Sequence, residues 1–196
     1  MKELLSHPPQ PQPTKSGAGP SDAALVLAAR AGEEWAREAL FRRYVRMALG
    51  LAYRILPRDA DLDDLVQDSF LAAFQRLDRL SNPQAFQAWL SSIIVRTAGK
   101  RLRRRKLQVR LGLLRSEPID VEQVVSRSAP PDVSVELRAV YGLLEQLSVD
   151  ERIALVLRRV ERLEISEIAE RMKLSTSTVK RRLSAAEARL QRAIER

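Results

Sequence analysis

The sequence has no cysteine and a single histidine, His7, which lies in a proline-rich stretch. Disulfides, thiolate zinc sites and cysteine nucleophiles are therefore excluded, and a histidine-based site is not expected. The 7 glycines form no glycine-rich phosphate loop, which argues against a nucleotide-driven enzyme. No nucleophile, base and orienting residue combine into a catalytic site. The sequence thus predicts a protein that is not an enzyme and has no metal and no cofactor.

Long apolar runs and strand patterns are also lacking. No run approaches the ~20 apolar residues that span a bilayer, and no apolar segment typical of a secretory signal is found, so a cytoplasmic protein is expected. Apolar residues repeat at helical spacing, which predicts an all-α fold. The formal net charge of +9, from 34 Lys plus Arg against 25 Asp plus Glu, favours a polyanionic partner. Nucleic acid and an acidic membrane are the two alternatives.

Composition divides the chain into four parts. Residues 1–20 contain five prolines and are predicted to be a disordered tail. Helical periodicity covers 21–106, beginning at the cap Ser21, and returns over 134–196. Residues 107–133 lose the periodicity and are predicted to be a flexible linker, in which 108–114 is a candidate local helix. Two small helical domains joined by a linker are therefore expected.

The segment from Asp59 to Phe74 has the pattern of a helix with an acidic N-terminus. Its predicted buried stripe consists of Leu62, Leu65, Val66, Ser69, Phe70, Ala73 and, beyond the helix, Leu77. The opposite face carries Asp61, Asp64, Gln67, Asp68 and Leu71. In so basic a chain, an acidic and partly apolar face suits a basic protein surface rather than DNA. The alternative is a solvated face that only caps the helix.

A second feature is the loop from Asp78 to Asn82 and the helix that follows it. Asn82 before Pro83 predicts a helix start, and the helix should run to about Lys106. Its apolar residues, among them Phe86 and Trp89, are assigned to packing before base stacking. Its second half is dense in Arg and Lys, a face that phosphates or other anions would stabilise.

The last feature is a pair of helices joined by a tight turn. The first has apolar residues from Ile165 to Met172 and the second from Val179 to Leu190, each in a single stripe. Leu174 fills the turn between them. The exposed start of the second helix, with Ser175 as its N-cap, presents Thr176, Ser177, Thr178, Lys180, Arg181 and Arg182. This is the layout of a DNA-reading helix-turn-helix, with an ordinary basic hairpin as the alternative.

Taken in order, these motifs resemble the sigma-70-like factors of bacterial RNA polymerase, and among them the small extracytoplasmic-function (ECF) group. The matching segments are Asp63 to Phe70, Phe86 to Leu90, Leu147 to Arg152, Glu167 to Glu170 and Ser177 to Lys180. The resemblance as a whole covers about 21–106 and 134–196. No segment corresponds to the extra domains of larger sigma factors, which indicates the minimal two-domain group.

The resemblance implies a role for each feature. Asp61, Asp64, Gln67, Asp68 and Leu71 would dock on the basic coiled coil of the polymerase clamp. The downstream (−10-type) promoter element would be bound by Arg79, Ser81, Asn82, Arg96, Lys100, Arg103 and Arg104. The upstream (−35-type) element would be bound by Ser175, Thr176, Ser177, Thr178, Lys180, Arg181 and Arg182. Core RNA polymerase, promoter DNA and an anti-sigma factor are the implied partners.

The chain departs from the family pattern in three places. Arg96 and Lys100 stand where the family usually has Asn and Asp, which strengthens phosphate binding in the melting helix. Lys173 stands in a turn that usually carries Gly, which would cost about 1 kcal/mol if the residue is left-handed. Ser184 to Glu187 replace a more basic run. These changes imply an unusual promoter sequence. The rival function is a free-standing regulator that binds operator DNA as a dimer, and it gives no role to the acidic face.

Overall fold

A computed structural model of the chain describes residues 19–56, 62–114, 142–144 and 146–194, without the side chains of 193 and 194. These residues are mostly helical and include no β-strand, which agrees with the predicted all-α fold. The longer helices are α1 (Asp22–Arg30), α2 (Glu34–Ile55), α3 (Leu62–Phe74), α4 (Phe86–Arg110), α5 (Val149–Arg159), α6 (Ile165–Met172) and α7 (Thr176–Ile194). The predicted tail up to residue 18 and most of the predicted linker lie outside the described residues.

Helices α1 to α4 pack around one core, as their apolar periodicity predicts. The Ser21 hydroxyl caps α1 by accepting a hydrogen bond from the Ala24 amide at 3.3 Å. Gly32, at φ +96°, makes the turn into α2, a backbone conformation that favours glycine. The predicted stripe of α3 is buried, apart from the half-buried Leu62. The fully buried side chains include Leu25, Leu40, Ile55, Leu65, Phe86, Leu90 and Ile94.

Helix α4 begins where the sequence predicts and ends later. The Asn82 side chain accepts a hydrogen bond from the Gln84 amide at 3.1 Å, and a 3-10 turn, Pro83–Ala85, leads into the helix. The helix continues to Arg110, four residues beyond the predicted end at Lys106. Its end is set by Gly112, which adopts φ +71° just after the last turn. Of the local helix predicted around residues 108–114, only 108–110 is helical, as the last part of α4, and residues 111–114 form a turn.

The C-terminal helices are held by the predicted capping box at the start of α5. The Ser148 hydroxyl accepts from the Glu151 amide at 3.3 Å, and the Glu151 carboxylate accepts from the Ser148 amide at 2.8 Å. Glu151 is only 3% exposed and also pairs with Arg189 of α7 at 2.9 Å. The capping box therefore joins α5 to α7. The predicted helix before it is described only from Gly142, with Leu144 and Leu147 buried.

Helices α6 and α7 form the predicted helix-turn-helix. Ile168, Val179 and Ala186 are fully buried, and Leu174 is half-buried at the turn. Lys173 ends α6 in the left-handed conformation, at φ 54° and ψ 47°. This confirms the expectation that a position usually held by glycine is strained here by a side chain. Arg162, between α5 and α6, also has a positive φ of 56°, which its neighbours in the sequence do not predict.

The two groups of helices also contact each other. Helices α5 and α6 pack against α4, and α5 contacts α2. Buried residues of α5 and α6 belong to the same hydrophobic cluster as the core of the first four helices. The sequence predicts the two domains but not this docking.

Replacing Lys173 by glycine should stabilise the helix-turn-helix by about 1 kcal/mol, because glycine adopts a left-handed conformation without the Cβ clash. Lys173→Ala is the matched control, since it removes the charged side chain and keeps the Cβ. Both tryptophans, Trp35 and Trp89, lie in the first domain, so hydrogen exchange of α6 and α7 is the suitable measurement. Equal protection in the two variants would contradict the prediction.

The pH dependence of stability should contain a contribution from Glu151. Burial raises its pKa, but hydrogen bonds from Ser148 and the charges of Arg189 and Arg182 together lower the pKa by more than burial raises it. The folded-state pKa therefore lies below the ordinary 4.5. The carboxylate then stabilises the fold above pH 4.5, and this contribution is lost as the pH falls through the folded-state pKa.

Substitution Glu151→Gln should therefore lower the free energy of unfolding by about 2 kcal/mol at neutral pH. It should also weaken the loss of stability as the pH falls into the acid range. Urea unfolding followed by circular dichroism at several pH values measures both effects. Glu187→Gln is the control, because Glu187 pairs with Arg159 at the surface. An unchanged pH profile in Glu151→Gln would show that another group dominates acid unfolding.

Candidate functional site

The acidic face of α3 is exposed as the sequence predicts. Asp64, Gln67, Asp68 and Leu71 follow one another at three- and four-residue spacing and lie on one side of the helix. Leu71 is 56% exposed, a large value for an apolar residue in a folded domain. Asp61, the fifth residue predicted for this face, lies outside the described residues. The face thus combines carboxylates with an apolar contact point.

An apolar groove continues this face toward α2. Its volume is about 500 Å³, and its lining consists of Glu34, Arg37, Glu38, Phe41, Leu71, Phe74 and Gln75. The ring centroid of Phe41 lies 4.8 Å from that of Phe70, which supports the floor of the groove. Phe41 and the nearby helix residue Trp35 are 38% and 43% exposed. Neither Phe41 nor Phe74 was among the site residues predicted from the sequence, because they belong to different helices that meet only in the folded chain.

The loop before α4 is held in place by Arg30 of α1. The Arg30 guanidinium donates hydrogen bonds to the carbonyl of Leu77, at 3.0 and 3.2 Å, and to the carbonyl of Leu80. Leu77 and Leu80 are themselves buried. The predicted DNA-binding residues Arg79, Ser81 and Asn82 are exposed between and just beyond these anchors. Arg30 was not found from the sequence, because its partners are backbone atoms about fifty residues away.

The basic residues of α4 differ in how far they are exposed to solvent. Lys100 and Arg104 are exposed, whereas Arg96 is half-buried. Burial lowers the pKa of Arg96, and the charge of Arg76 at the end of α3 lowers it further. Two guanidinium groups held close together favour an anion between them, such as a DNA phosphate. Arg76 was missing from the predicted set because it belongs to a different helix.

Arg103 differs from the other predicted residues of α4, because it is already paired. Its guanidinium lies 3.0 Å from a carboxylate oxygen of Asp150, at the start of α5. The side chain of Arg103 nevertheless keeps 58% of its surface exposed. A phosphate at the guanidinium nitrogen that faces Asp150 would compete with this carboxylate, while the exposed part of the side chain stays accessible.

The residues predicted to bind the upstream element lie at the start of α7 and differ in their exposure. Thr176, Ser177, Lys180 and Arg181 are exposed at its start. Ser175 is the N-cap, since its hydroxyl accepts from the Thr178 amide at 3.2 Å, and it also bonds to the Thr178 hydroxyl at 2.8 Å. Arg182 is turned toward Asp150, with 3.8 Å between nitrogen and oxygen. The Ser177 hydroxyl lies 3.0 Å from the Ser175 hydroxyl and is hydrogen-bonded to it. The exposed surface therefore consists of two short polar side chains, one of them bonded to the N-cap, and two cations, which suits base edges and phosphates.

Within the described ranges, no group of three or more His, Asp or Glu side chains could hold a metal ion. In the same ranges, no helix is both long and apolar enough to cross a bilayer.

Comparisons with known proteins follow the same division of the chain. The sigma-70 region 2 family model matches residues 40–108, and the sigma-70 region 4 model matches residues 137–190. SigM of Mycobacterium tuberculosis, an ECF RNA polymerase sigma factor, is 33% identical over 172 residues, which cover 88% of this chain and 84% of that protein. The chain belongs to the ECF sigma factor family. The resemblance seen in the sequence motifs is confirmed.

Other ECF sigma factors and solved structures agree. The sigma-E factor of Escherichia coli is 31% identical over 170 residues, covering 83% of this chain and 88% of that protein. The structure of CnrH in complex with the cytosolic domain of CnrY has a TM-score of 0.59 and 26% identity, covering 89% of this chain and 97% of that one. RpoE of Bartonella quintana, in complex with the anti-sigma factor NepR, shares the fold with a TM-score of 0.63 at 21% identity, covering 81% and 96%.

Replacing Lys180 and Arg181 by alanine should lower the salt dependence of DNA binding, because both side chains are predicted to contact phosphates. The slope of log affinity against log salt should fall by about 2, because each lost phosphate contact removes about 0.9. Fluorescence anisotropy with a labelled duplex at several salt concentrations measures the slope. Thr176→Ala with Ser177→Ala is the control and should leave the slope unchanged. An unchanged slope in the first variant would remove Lys180 and Arg181 from the phosphate contacts.

Proposed function

We propose that this chain binds core RNA polymerase, directs it to specific promoters and helps to melt the DNA at the start of transcription. The observation that supports this function best is the presence of two different kinds of surface on one chain. An acidic and apolar face on α3 suits a protein partner, while the basic surfaces of α4 and α7 suit DNA. A DNA-binding protein that acted alone would need only the basic surfaces.

The acidic face of α3 is the proposed polymerase-binding site. Asp61, Asp64, Gln67, Asp68 and Leu71 form it, and the groove beside Leu71 and Phe74 extends it with apolar surface. Carboxylates set the orientation and the rate of encounter with a basic partner, and buried apolar area provides most of the affinity. The match with the family's clamp-binding motif supports this assignment.

The loop before α4 and the basic face of α4 are the proposed downstream site. Arg30 fixes the loop so that Arg79, Ser81 and Asn82 are displayed together, which reduces the entropy lost on binding. Arg96, Lys100, Arg103 and Arg104 would hold the phosphates of the opening duplex. Bases captured from the stack then offset part of the cost of unpairing. The factor itself makes and breaks no bond in this process.

The start of α7 is the proposed upstream site. Thr176, Ser177, Lys180 and Arg181 face outward, and Ser175, Thr178 and Arg182 complete the predicted set. A dimeric operator-binding regulator would use the same helix but leaves the exposed face of α3 without a role. A protein with this function works in the cytoplasm, beside the nucleoid. An anti-sigma factor is a further proposed partner, supported by the relatives that were solved with protein partners.

Transcription in vitro tests the function directly. Core polymerase from the source bacterium, supplied with fragmented genomic DNA, should start at a defined set of promoters only when this chain is added. The variant Asp64→Arg with Asp68→Arg should lose polymerase binding and transcription, because both carboxylates are exposed and not needed for the fold. Native gel shift with core polymerase and circular dichroism measure binding and folding.

The control for this variant reverses two exposed carboxylates of the other domain, Glu170→Arg and Glu187→Arg, and should leave polymerase binding intact. Normal transcription by the α3 variant would show that its acidic face only caps the helix and does not bind polymerase. Tight, sequence-specific binding of operator DNA by a dimer without polymerase would favour the regulator instead.

A further inference from the structure

Two arginines beside the loop that precedes α4 have no acidic partner. Arg96 is half-buried in the middle of α4, and Arg76 is exposed just after the last turn of α3. Neither side chain makes a hydrogen bond or an ion pair within the part of the chain that the structure describes. Asp78, the acidic residue nearest to Arg76 in the sequence, is exposed and pairs with neither of them.

Half-buried arginines elsewhere in the chain do have partners. Arg54 pairs with a carboxylate oxygen of Glu161 at 2.6 Å, and Arg30 donates to the carbonyl of Leu77 at 3.0 Å. A guanidinium group stays charged in a protein, so a half-buried one is costly unless an oxygen acceptor or an anion lies against it. Within the described residues, Arg96 has neither.

The two unpaired cations are also near each other. Helix α3 packs against α4, and Ala73 and Leu77, which lie on either side of Arg76 in the chain, are buried in the contact. Burial lowers the pKa of Arg96, and the charge of Arg76 lowers it further. Two like charges at close range repel each other, so a site that holds both without a carboxylate favours an anion between them.

The backbone at Arg76 is fixed on both sides. Its amide donates to the carbonyl of Ala73 at 3.0 Å, and its carbonyl accepts from the amide of Arg79 at 2.9 Å. The next residue, Leu77, is only 3% exposed. The side chain of Arg76 therefore begins at a fixed place beside the loop of residues 78–82. This lowers the entropy that is lost when its guanidinium group binds an anion.

Further cations border the pair. Arg79 lies one turn after Arg76, and Lys100 lies one helical turn after Arg96, and both are exposed. A nucleic-acid strand carries a phosphate at every nucleotide and can meet all of these cations in succession. A single small anion would use only the pair itself. The arrangement of charges thus favours the backbone of a nucleic acid.

We propose that Arg76 and Arg96 together bind one phosphate of the DNA strand that passes the loop of residues 78–82. Arg76 is then a DNA-binding residue supplied from the end of the helix that carries the polymerase-binding face. Two guanidinium groups around one phosphate fix its position better than two separate contacts do. Because Arg76 follows α3 directly, this phosphate is held at a set place relative to polymerase. The inference rests on the proposed function only for the identity of the DNA as a promoter.

A double-mutant cycle in the full chain tests the shared phosphate. Arg76→Ala, Arg96→Ala and the double variant are titrated with a labelled random-sequence single strand, by fluorescence anisotropy at several salt concentrations. Each single variant should bind roughly fivefold more weakly, and the double variant hardly more weakly than either. The slope of log affinity against log salt should fall by about 0.7 in all three variants, the value for one phosphate of a single strand.

Controls separate this role from net charge and from a small-anion site. Arg42→Ala with Arg46→Ala removes two charges from exposed positions of α2 and should keep the slope. Arg76→Lys with Arg96→Lys keeps the charges without the planar fork, so it should restore the slope but only part of the affinity. Inorganic phosphate at fixed ionic strength should not displace the strand. Circular dichroism shows whether each variant is folded.

Three results of these titrations would overturn the proposal. Losses that add up in the double variant would mean two independent contacts, and an equal loss in the α2 control would mean a net-charge effect. Displacement of the strand by inorganic phosphate from the wild type, but not from the double variant, would identify a site for a free anion instead.

Experiments with core polymerase separate this inference from the proposed function. Arg76→Ala should lower transcription but leave polymerase binding in the native gel unchanged, because Arg76 lies outside the acidic face. Loss of polymerase binding would place Arg76 in that face and overturn its assignment to DNA. If the wild-type chain does not direct core polymerase, the proposed function is wrong. The titrations with single-stranded DNA would still decide whether the two arginines share a phosphate.

Discussion

The packing of helix α4 is the constraint on which the rest of the structure depends. Its first half supplies Phe86, Leu90 and Ile94 to the core of the first domain, where all three are fully buried. Its second half carries the basic residues but also an apolar strip, including Ala98 and Leu102. That strip has to be covered, because exposed apolar area costs about 25 cal/mol per Å². Helices α5 and α6 pack against α4 and provide the cover.

The same helix creates an electrostatic problem that the second domain relieves. The many Lys and Arg side chains in the second half of α4 repel one another when no anion lies against them. Asp150 and Glu161 bring carboxylates against Arg103 and Arg54, at separations of 3.0 and 2.6 Å. Such pairs are partly exposed and individually weak, on the order of 1 kcal/mol or less.

Local features of the fold could be predicted from the sequence, because each depends on residues a few positions apart. The Ser21 cap, the Asn82-Pro83 helix start and the Ser148 to Glu151 capping box all form as expected. Lys173 was expected to be strained and is left-handed. Features set by distant partners could not be predicted in this way. Arg30 holds the loop through backbone carbonyls, and the groove at Phe41 exists only because α2 meets α3 at that point.

The capping box shows how one local motif can carry a second, non-local role. As a sequence pattern, Ser-Val-Asp-Glu explains Ser148 and Glu151, whose hydrogen bonds begin α5, but it leaves Asp150 with only a weak interaction with the helix dipole. The box fixes the first turn of α5, and this orientation directs Asp150 between Arg103 and Arg182. The turn of helix that stabilises the C-terminal helices therefore also places a carboxylate beside arginines of two other helices.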